Sequence, residues 1–343
     1  MAEITIRGAG IFGLSVAWAC VKRGAAVQVI DPFGPASGSS GGIVGALAPH
    51  VPEKWNAKKA FQLDSLLKAE TFWSEVEAVG GQQSGYARKG RLQPILNDRG
   101  VELAHLRAET AKEFWQDNAV WQVVQSKGTD WEPASPTGWL IYDTLSALIH
   151  PRHACNALAM ALHAKGVAVQ ADGTDQGQVL WATGVAGLQD MSATYDRVVG
   201  AGEKGQAALL AHDARGLPQL FADGVHIIPH SDGTVAVGST TERYFDSADE
   251  TDAQLDDVIA KARAAVPALA KAQVIDRWAG LRPRSHSRAP MLGAWPDRPS
   301  HFIANGGFKI GFGMAPKIAE VMADLMLDGR DTIPDGFRVT DNL

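Results

Sequence analysis

The sequence predicts an α/β fold in two parts: a parallel sheet flanked by helices, and a later part that is rich in β-strands. A strand, a glycine-rich turn, a helix and a second strand follow one another within residues 3–31. Helical and strand-like segments continue to alternate as far as residue 184, which is typical of parallel sheets. Residues 224–305 then read mainly as strands and include a hairpin with an Asp-Gly turn at residues 232–233.

Length and composition exclude several classes of protein. A chain of 343 residues predicts about two domains at ~150 residues each. Its 32 basic and 38 acidic residues give a formal net charge of −6, so no basic excess favours binding to a nucleic-acid backbone. No apolar run reaches the ~18–20 residues of a membrane span. We expect a globular protein with no nucleic-acid partner and no membrane span, whose oligomeric state the composition leaves open.

Cysteine usage and the start of the chain indicate the compartment. Cys20 and Cys155 are the two cysteines, which fits a reducing compartment and excludes a disulfide framework. No charged leader or apolar signal segment precedes the first strand. We therefore expect a cytoplasmic protein in which both thiols belong to the core.

The first βαβ unit carries a Gly-x-Gly-x-x-Gly turn. Residues 3–7 predict a strand, residues 14–22 predict a helix, and residues 26–30 predict a second strand. That second strand ends at an acidic residue, Asp31. This order and spacing indicate a dinucleotide-binding unit, whereas a coincidental glycine-rich turn would not require the second strand and its acid.

Each residue of this unit has a physical role in holding a dinucleotide. Gly8 permits the tight turn, Gly10 lets a pyrophosphate approach the backbone, and Gly13 allows close packing of helix on strand. The N–H groups of the helix N-terminus attract the phosphates. Asp31 accepts hydrogen bonds from ribose hydroxyls and repels a 2′-phosphate, so FAD or NAD is favoured over NADP.

A long loop of small residues follows the acid. Residues 32–45 are rich in Gly and Ser, whose N–H and hydroxyl groups suit contact with phosphates. A dehydrogenase that binds NAD would be expected to continue the α/β alternation here instead. The alternative interpretation of this loop is a flexible linker.

Apolar periodicity predicts the remaining elements. The helices are expected at residues 59–79, 101–117, 154–165, 252–266 and 315–327. The strands are expected at residues 86–96, 138–142, 167–170, 178–182, 224–229, 234–239, 273–281 and 301–305. A second glycine-rich turn, residues 306–311, connects the last strand to the last helix.

Five ordered blocks of the sequence resemble the D-amino-acid oxidase superfamily of FAD-dependent oxidoreductases, and among its members the glycine oxidase-like enzymes. The blocks are residues 8–31, residues 36–49, Ala-Thr-Gly at 182–184, Trp-Ala-Gly-Leu-Arg-Pro at 278–283, and residues 305–316. The resemblance covers about residues 3–330. The Gly-Leu-Arg-Pro block and the late glycine-rich turn are its most specific parts.

The resemblance implies the architecture and the chemistry. It implies a glutathione-reductase-type FAD-binding Rossmann domain from residues 1–80, 145–205 and 290–343. A second, mixed β-sheet substrate domain would comprise residues 81–144 and 206–289. It implies hydride transfer from the α-carbon of a small amino acid or amine with a carboxylate to flavin N5, which gives an imine that hydrolyses. No residue matches the cysteine that tethers flavin in sarcosine-oxidase-type relatives, so FAD is expected to be non-covalent.

Four residues are candidates for catalytic roles by the same resemblance. Arg282 matches the arginine that clamps the substrate carboxylate, with a structural arginine paired to a buried acid as the alternative. Lys309 lies where a cation would stabilise the reduced flavin, or is a surface lysine. His226 replaces a family tyrosine and would titrate near neutral pH, or is an ordinary sheet histidine. His50 would line the substrate cavity, or is a solvated loop residue.

The cofactor contacts of the family map onto residues in four of the five blocks. They are Gly8, Gly10, Ile11, Phe12, Gly13, Asp31, Pro32, Ser37, Ser39, Ser40, Gly42, Ile43, Val44, Ala182, Thr183, Gly184, Gly306, Gly307, Phe308, Lys309, Ile310 and Gly311. One departure is the short segment at residues 170–177, where the family has a longer β excursion that holds adenine. We expect FAD to bind more weakly or another segment to compensate.

No His, Asp or Glu cluster has the sequence spacing of metal ligands, so we predict no metal site.

Three rival functions remain open. Residues 45–49 are also similar to the oxidoreductase domain of bifunctional tRNA wobble-uridine modification enzymes, which oxidises a glycine-like group. A flavin-binding protein without turnover is the second rival. An NAD-linked dehydrogenase is the third, and the late glycine-rich turn disfavours it.

Overall fold

Two β-sheets carry the fold in this computed structural model, which describes residues 3–343. The described chain contains the strands β1 (Ile4–Arg7), β2 (Val27–Ile30), β3 (Ala46–Leu47), β4 (Arg91–Pro94), β5 (Trp121–Gln125), β6 (Trp139–Asp143), β7 (Ala147–Leu148), β8 (Val169–Gln170), β9 (Gln178–Trp181), β10 (Gly200–Ala211), β11 (Gln219–Ala222), β12 (Val225–Pro229), β13 (Thr234–Gly238), β14 (Gln273–Ser285), β15 (Met291–Ala294) and β16 (His301–Asn305). Its helices are α1 (Ile11–Lys22), α2 (Ala57–Gly80), α3 (Asp98–Trp115), α4 (Pro151–Ala164), α5 (Gly184–Thr194), α6 (Ala253–Ala265) and α7 (Gly311–Asp328).

The first sheet has six strands in the order β15-β16-β9-β1-β2-β8, and all pairs are parallel except β15 with β16. Both faces of the central strand β1 are buried. Ile4 and Ile6 belong to the largest core cluster, where α1, α2, α4 and α7 pack on one another. Thr5, on the opposite face, is also buried. Burial on both faces is typical of a parallel sheet that is covered on both sides.

The second sheet has eight strands in the order β14-β10-β13-β12-β11-β4-β6-β5. Its pairs are antiparallel except β11 with β4. Alternate residues point to opposite faces. Val235 and Val237 pack against α6, whereas Ala236 and Ile228 pack against the loop that contains Ile43. This second face turns toward the six-stranded sheet and covers the cavity between them. The prediction of a Rossmann-like parallel sheet with a second mixed sheet is confirmed.

The predicted elements differ from the structure at several places. Helix α1 begins at Ile11 and α7 at Gly311, three and four residues earlier than predicted. The strand predicted over residues 86–96 shortens to β4. Strand β14 extends beyond the predicted end at residue 281 and therefore includes Arg282. The sequence did not predict β5, β10, β11, β15 or α5.

Strand β10 was missed because its sequence resembles a turn followed by a charged surface segment. It begins Gly-Ala-Gly and continues with Glu203, Lys204 and Gln206, all of which are buried. It pairs with β14 along its length and also with β13. The strand spans the position between residues 205 and 206 at which the expected domain boundary falls. No helix in residues 3–343 is long and apolar enough to cross a membrane.

Candidate active site

A cavity of about 1130 Å³ lies between the two sheets. Its floor is the carboxyl edge of the six-stranded sheet, where β1, β2 and β9 end. Its roof includes β10, β12 and β14 of the second sheet. The site therefore occupies the crevice where open α/β sheets bind their ligands.

The glycine-rich turn after β1 is fixed by close backbone contacts. Gly8 has φ +107°, and a Cβ on it would overlap the carbonyl oxygen of Ala182 at the end of β9. A Cβ on Gly13 would overlap the carbonyl oxygen of Gly8. Side chains at these two positions would push α1 away from the sheet, so the turn needs both glycines.

Asp31 stands at the tip of β2, in the cavity wall. Its Oδ2 accepts a hydrogen bond from the backbone N–H of Ala9 at 2.8 Å, and its Oδ1 accepts one from Phe33 at 3.0 Å. A carboxylate oxygen can accept more than one hydrogen bond. The carboxylate is thus oriented by the backbone and retains acceptor capacity toward the cavity.

The loop at residues 32–45 is not a flexible linker. Ala36 donates its N–H to the carbonyl of Ala9 at 3.0 Å, and Ser40 Oγ accepts from the N–H of Ile11 at 3.0 Å. The loop therefore crosses the N-terminus of α1 and lines the cavity with small residues, among them Ser37, Ser39, Gly42 and Val44. The prediction that this loop lies along a ligand site fits this placement.

The short segment between β8 and β9 is bonded to two side chains near one end of the cavity. Arg7 donates through Nε to Asp175 at 2.7 Å and through Nη2 to the carbonyl of Gly173 at 2.9 Å. Nε2 of Gln28 donates a hydrogen bond to the carbonyl of Thr174 at 2.8 Å. Arg7 and Ile30 themselves line the cavity, so this end has defined walls despite the shortened segment.

The late glycine-rich turn lies at the other end, where α7 begins. Gly306 has φ +74° and Phe308 has φ 42°, and the N–H of Phe308 donates to the carbonyl of Pro283 at 2.9 Å. Gly307 to Gly311 border the cavity. The start of α7 presents unpaired N–H groups and the positive end of the helix dipole here, which favours negative charge.

Arg282 is the decisive side chain of the roof. It is 8% exposed, and its guanidinium donates to Ser239 Oγ at 2.8 Å and to the carbonyls of Lys204 at 3.0 Å and Thr240 at 2.6 Å. Among the described residues no carboxylate lies within 4.0 Å of it, and its Nε–H has no hydrogen-bond partner. Burial lowers the pKa of Arg282 to about 10, against the opposing effect of Glu203 and Glu242, so it remains a cation at neutral pH.

His226 shares the roof with Arg282. Its Nδ1 is buried without a hydrogen-bond partner in the described part of the chain, and its ring lies 4.6 Å from the ring of Phe221. Burial, together with the positive charges of Arg91 and Lys309, lowers the pKa of His226 to about 3. The expectation that His226 titrates near neutral pH is therefore wrong, because the site disfavours the imidazolium.

Lys309 connects the late turn to the roof. Its Nζ donates to Thr241 Oγ1 at 2.6 Å, beside the acceptors that hold Arg282. Burial of the ammonium lowers its pKa, and the positive charge of Arg282 adds to this effect. Arg282 and Lys309 both also approach the ring of Phe308, at 5.4 and 5.6 Å. Two cations therefore face the same end of the cavity.

His50 lies outside the cavity lining. Gln62 of α2 fixes His50 by hydrogen bonds, because Gln62 Oε1 lies 2.7 Å from the backbone nitrogen of His50 and 2.5 Å from its Nδ1. Burial lowers the pKa of His50 as well. The structure thus does not support the expectation that His50 lines a substrate cavity. Gly13 and Gly306 also lie outside the lining and act through the backbone.

Several lining residues were not anticipated. They are Arg7, Ala207, Phe221, Ser239, Trp278, Leu281, Val185, Asn305 and Phe312. Trp278 lies against Gly42 and folds over Gly280, and it stands four residues before Arg282 on the same strand. Period-2 alternation along β14 would have placed Trp278, Gly280 and Arg282 on one face, but the predicted strand ended too early to include Arg282.

Comparison with known proteins identifies the family. A family model described as FAD-dependent oxidoreductase matches residues 3–325. The chain belongs to this family. A glycine oxidase of Pseudomonas aeruginosa is 35% identical over 133 residues, which are 38% of this chain and 36% of that protein. The chain spans between about a third and about half of the length of the curated relatives that it matches first.

Solved structures of FAD-dependent oxidoreductase relatives share the fold. An iminodiacetate oxidase from Chelativorans sp. has a TM-score of 0.85 and 19% identity, and the match covers 98% of each chain. A glycine oxidase from Geobacillus kaustophilus has a TM-score of 0.84 and 18% identity, again over 98% of each chain. These similarities agree with the predicted resemblance.

The residues present fit the FAD that this family uses. Gly8 and Gly10 line the cavity without a Cβ, and the Thr183 hydroxyl on the cavity wall has no partner among residues 3–343. Asp31 retains acceptor capacity at the tip of β2. Cys20 and Cys155 are buried away from the cavity, and burial raises the pKa of each thiol to about 12, so neither is placed to tether a flavin.

A side chain at Gly13 will reduce flavin binding. Gly13→Ala places a Cβ against the carbonyl of Gly8, which displaces the turn that approaches the pyrophosphate. We expect a lower ratio of flavin to protein absorbance after purification. Gly100→Ala is the matched control, because Gly100 lies in helix α3 outside the cavity lining and a Cβ there would meet only side-chain atoms. Equal flavin content in both variants, with native circular dichroism, would contradict this role.

The protonation state of His226 will not shape the pH profile. Its pKa is near 3, so it stays neutral from pH 5 to 9 and charges only when the pH falls further. We expect the profiles of kcat/KM for the wild type and His226→Gln to have the same inflections. An inflection near pH 6.5 that disappears in His226→Gln would contradict the low pKa.

Proposed function

We propose that this protein oxidises a small amino acid or amine that carries a carboxylate. The observation that carries the proposal is Arg282, a buried cation that faces the cavity with no acid beside it in the described chain. Burying a charge without a partner is costly, so such an arginine favours an anionic ligand. The alternative of a structural arginine paired to a buried acid finds no support in its contacts.

Arg282 would hold the substrate carboxylate through the donors that the protein leaves free. Three hydrogen bonds to Ser239, Lys204 and Thr240 fix the plane of the guanidinium. An arginine has five N–H donors, and besides the buried Nε–H one N–H of Nη1 remains for the ligand. Fixing the carboxylate fixes the neighbouring α-carbon, which is the main contribution of positioning to such a reaction.

FAD, when bound, supplies the redox chemistry by accepting a hydride from the α-carbon of the substrate. The residues that would hold it are Gly8, Gly10, Asp31, Ser40 and Thr183, with Arg7 and Ile30 on the same cavity wall. Residues 307–311 would lie against the ring system. The substrate loses the hydride from its α-carbon and a proton from its nitrogen, and water hydrolyses the resulting imine to an oxo acid or aldehyde and ammonia or an amine.

Lys309 and the N-terminus of α7 would stabilise negative charge at the end of the cavity that the late turn forms. The fixed ammonium and the N–H groups are oriented before the reaction, so they need little reorganisation when charge develops. His226 would contribute a neutral imidazole to the substrate side, as a hydrogen-bond donor or acceptor. Trp278 and Phe221 supply apolar walls that favour a small substrate.

The substrate class can be identified by anaerobic reduction of the flavin. Glycine, sarcosine and D- and L-amino acids are added in turn, and absorbance at the flavin maximum is followed. Bleaching by one class supports the proposal, and the rate of recovery in air separates an oxidase from a dehydrogenase. No bleaching by any member would overturn it and favour a larger glycine-like substrate or a protein without turnover.

The role of Arg282 is tested by truncation. Arg282→Ala should lower kcat/KM for a carboxylate substrate. Expressed as a loss of transition-state binding free energy, the decrease should be about 2–5 kcal/mol, the scale for removing one partner of a buried charge pair. The flavin content should stay that of the wild type. Arg277→Ala, on the same strand but paired with Asp256 at the surface, is the control. If Arg282→Ala retains the wild-type kcat/KM, the carboxylate clamp is wrong.

A further inference from the structure

Two histidines and an aspartate meet on the outer side of the cavity wall, away from the residues proposed for oxidation. His150 caps the N-terminus of α4, His230 follows β12, and Asp232 lies in the turn between β12 and β13. One ligand atom from each lies within 4.8 Å of the other two. The cluster joins a helix that packs on the six-stranded sheet to a hairpin of the eight-stranded sheet.

The two imidazoles are buried, and one ring nitrogen makes no hydrogen bond within residues 3–343. His230 is 1% exposed, and its Nε2 has no hydrogen-bond partner in the part of the chain that the structure describes. His150 is 7% exposed, and its ring centroid lies 4.4 Å from that of His230 and 3.7 Å from that of His153. A buried polar atom without a partner is uncommon and calls for a ligand or an ion.

Thr234 arranges the two hairpin ligands. Its N–H and Oγ1 donate to Oδ1 of Asp232, at 3.0 and 2.7 Å, which leaves Oδ2 without a hydrogen bond among the described residues. The same hydroxyl lies 3.4 Å from Nδ1 of His230, on the side of the ring opposite the unused Nε2. Such outer contacts orient ligands in metal sites and fix the histidine tautomer.

We propose that His150, His230 and Asp232 bind a divalent transition-metal ion of the zinc type. Two imidazoles and a carboxylate are a donor set that Zn²⁺ accepts, with water at the fourth position. Tetrahedral bonds of ~2.0–2.1 Å put ligand atoms about 3.4 Å apart. The three ligand atoms now lie within 4.8 Å of one another, so small side-chain rotations would bring them to this separation. The exposed Asp232 provides the route of entry.

The ion would join the two sheets and would take no part in oxidation. Pro151, which follows His150, lines the cofactor cavity, and the segment at Ile43 lies beside His230. Cross-linking α4 to the hairpin would therefore stiffen one wall of the cavity. The cation Arg152 opposes metal binding at this place, but it is held by Asp276 at 3.6 Å and by the carbonyl of Gly41 at 2.7 Å.

Zinc binding to the flavin-loaded protein tests the proposal. The protein is first dialysed against EDTA and metal-free buffer, and Zn²⁺ is then titrated against a chromophoric chelator. We expect one equivalent of zinc and a rise in the melting temperature as Zn²⁺ is added. His230→Gln and Asp232→Asn should each weaken binding at least about tenfold, and Thr234→Val about 10–100-fold.

His163→Gln is the matched control, because His163 is exposed on the same helix α4. It should bind zinc as the wild type does. Asp232 is exposed, so Asp232→Asn keeps the test decisive if His230→Gln does not fold. Equal zinc affinity in the wild type and Asp232→Asn, or no stoichiometric binding by the wild type, would overturn the proposal. The measurement involves no turnover and is independent of the substrate.

Discussion

The burial of Arg282 is the constraint around which the second sheet is organised. A guanidinium that is 8% exposed needs hydrogen-bond acceptors around it, and two carbonyls and a hydroxyl from neighbouring segments accept three of its five N–H donors. Gly205 lies beside it on β10, where a Cβ would overlap the guanidinium carbon. The pairing of β10 with β14 thus places a cation in the roof and leaves part of its hydrogen-bonding capacity unused.

Charged neighbours of Arg282 are engaged elsewhere, which is what leaves it unpaired. Glu203 forms ion pairs with Arg284 and Arg243, and Glu242 pairs with Lys204 at 3.7 Å and accepts from Gln206 at 3.0 Å. These acids still raise the pKa of Arg282 through space. They favour the charged form of Arg282 but form no ion pair with it, so an anionic ligand can still pair with the guanidinium.

Local motifs could be predicted from the sequence, whereas long-range contacts could not. The turn at Gly8 and the acid at Asp31 depend on a few neighbouring residues, so spacing alone placed them. Strand β10 is defined by its partners β13 and β14, and its buried Glu203 and Lys204 contradict the usual strand pattern. Arg282 was correctly singled out, but the lack of an acid near it required the fold. His50 was misplaced because Gln62, twelve residues later, holds it away from the cavity.

The histidine cluster shows the same limit. His150 and His230 are 80 positions apart in the sequence, and only the packing of α4 against the β12–β13 hairpin brings them together. Spacing rules detect metal ligands that share one helix or one loop, so the sequence predicted no metal. The proposed carboxylate site and the proposed metal site both depend on groups that the packing of the two sheets brings together.

Binding of a small unreactive carboxylate tests the central claim most directly. Acetate and its neutral analogue acetamide are titrated into the flavin-loaded protein, and the change in the flavin absorption spectrum gives a dissociation constant for each. If Arg282 binds anionic ligands, acetate will bind in a saturable manner and more tightly than acetamide. Arg282→Met will remove this difference in affinity. Equal affinity for the two ligands in the wild type would contradict the account.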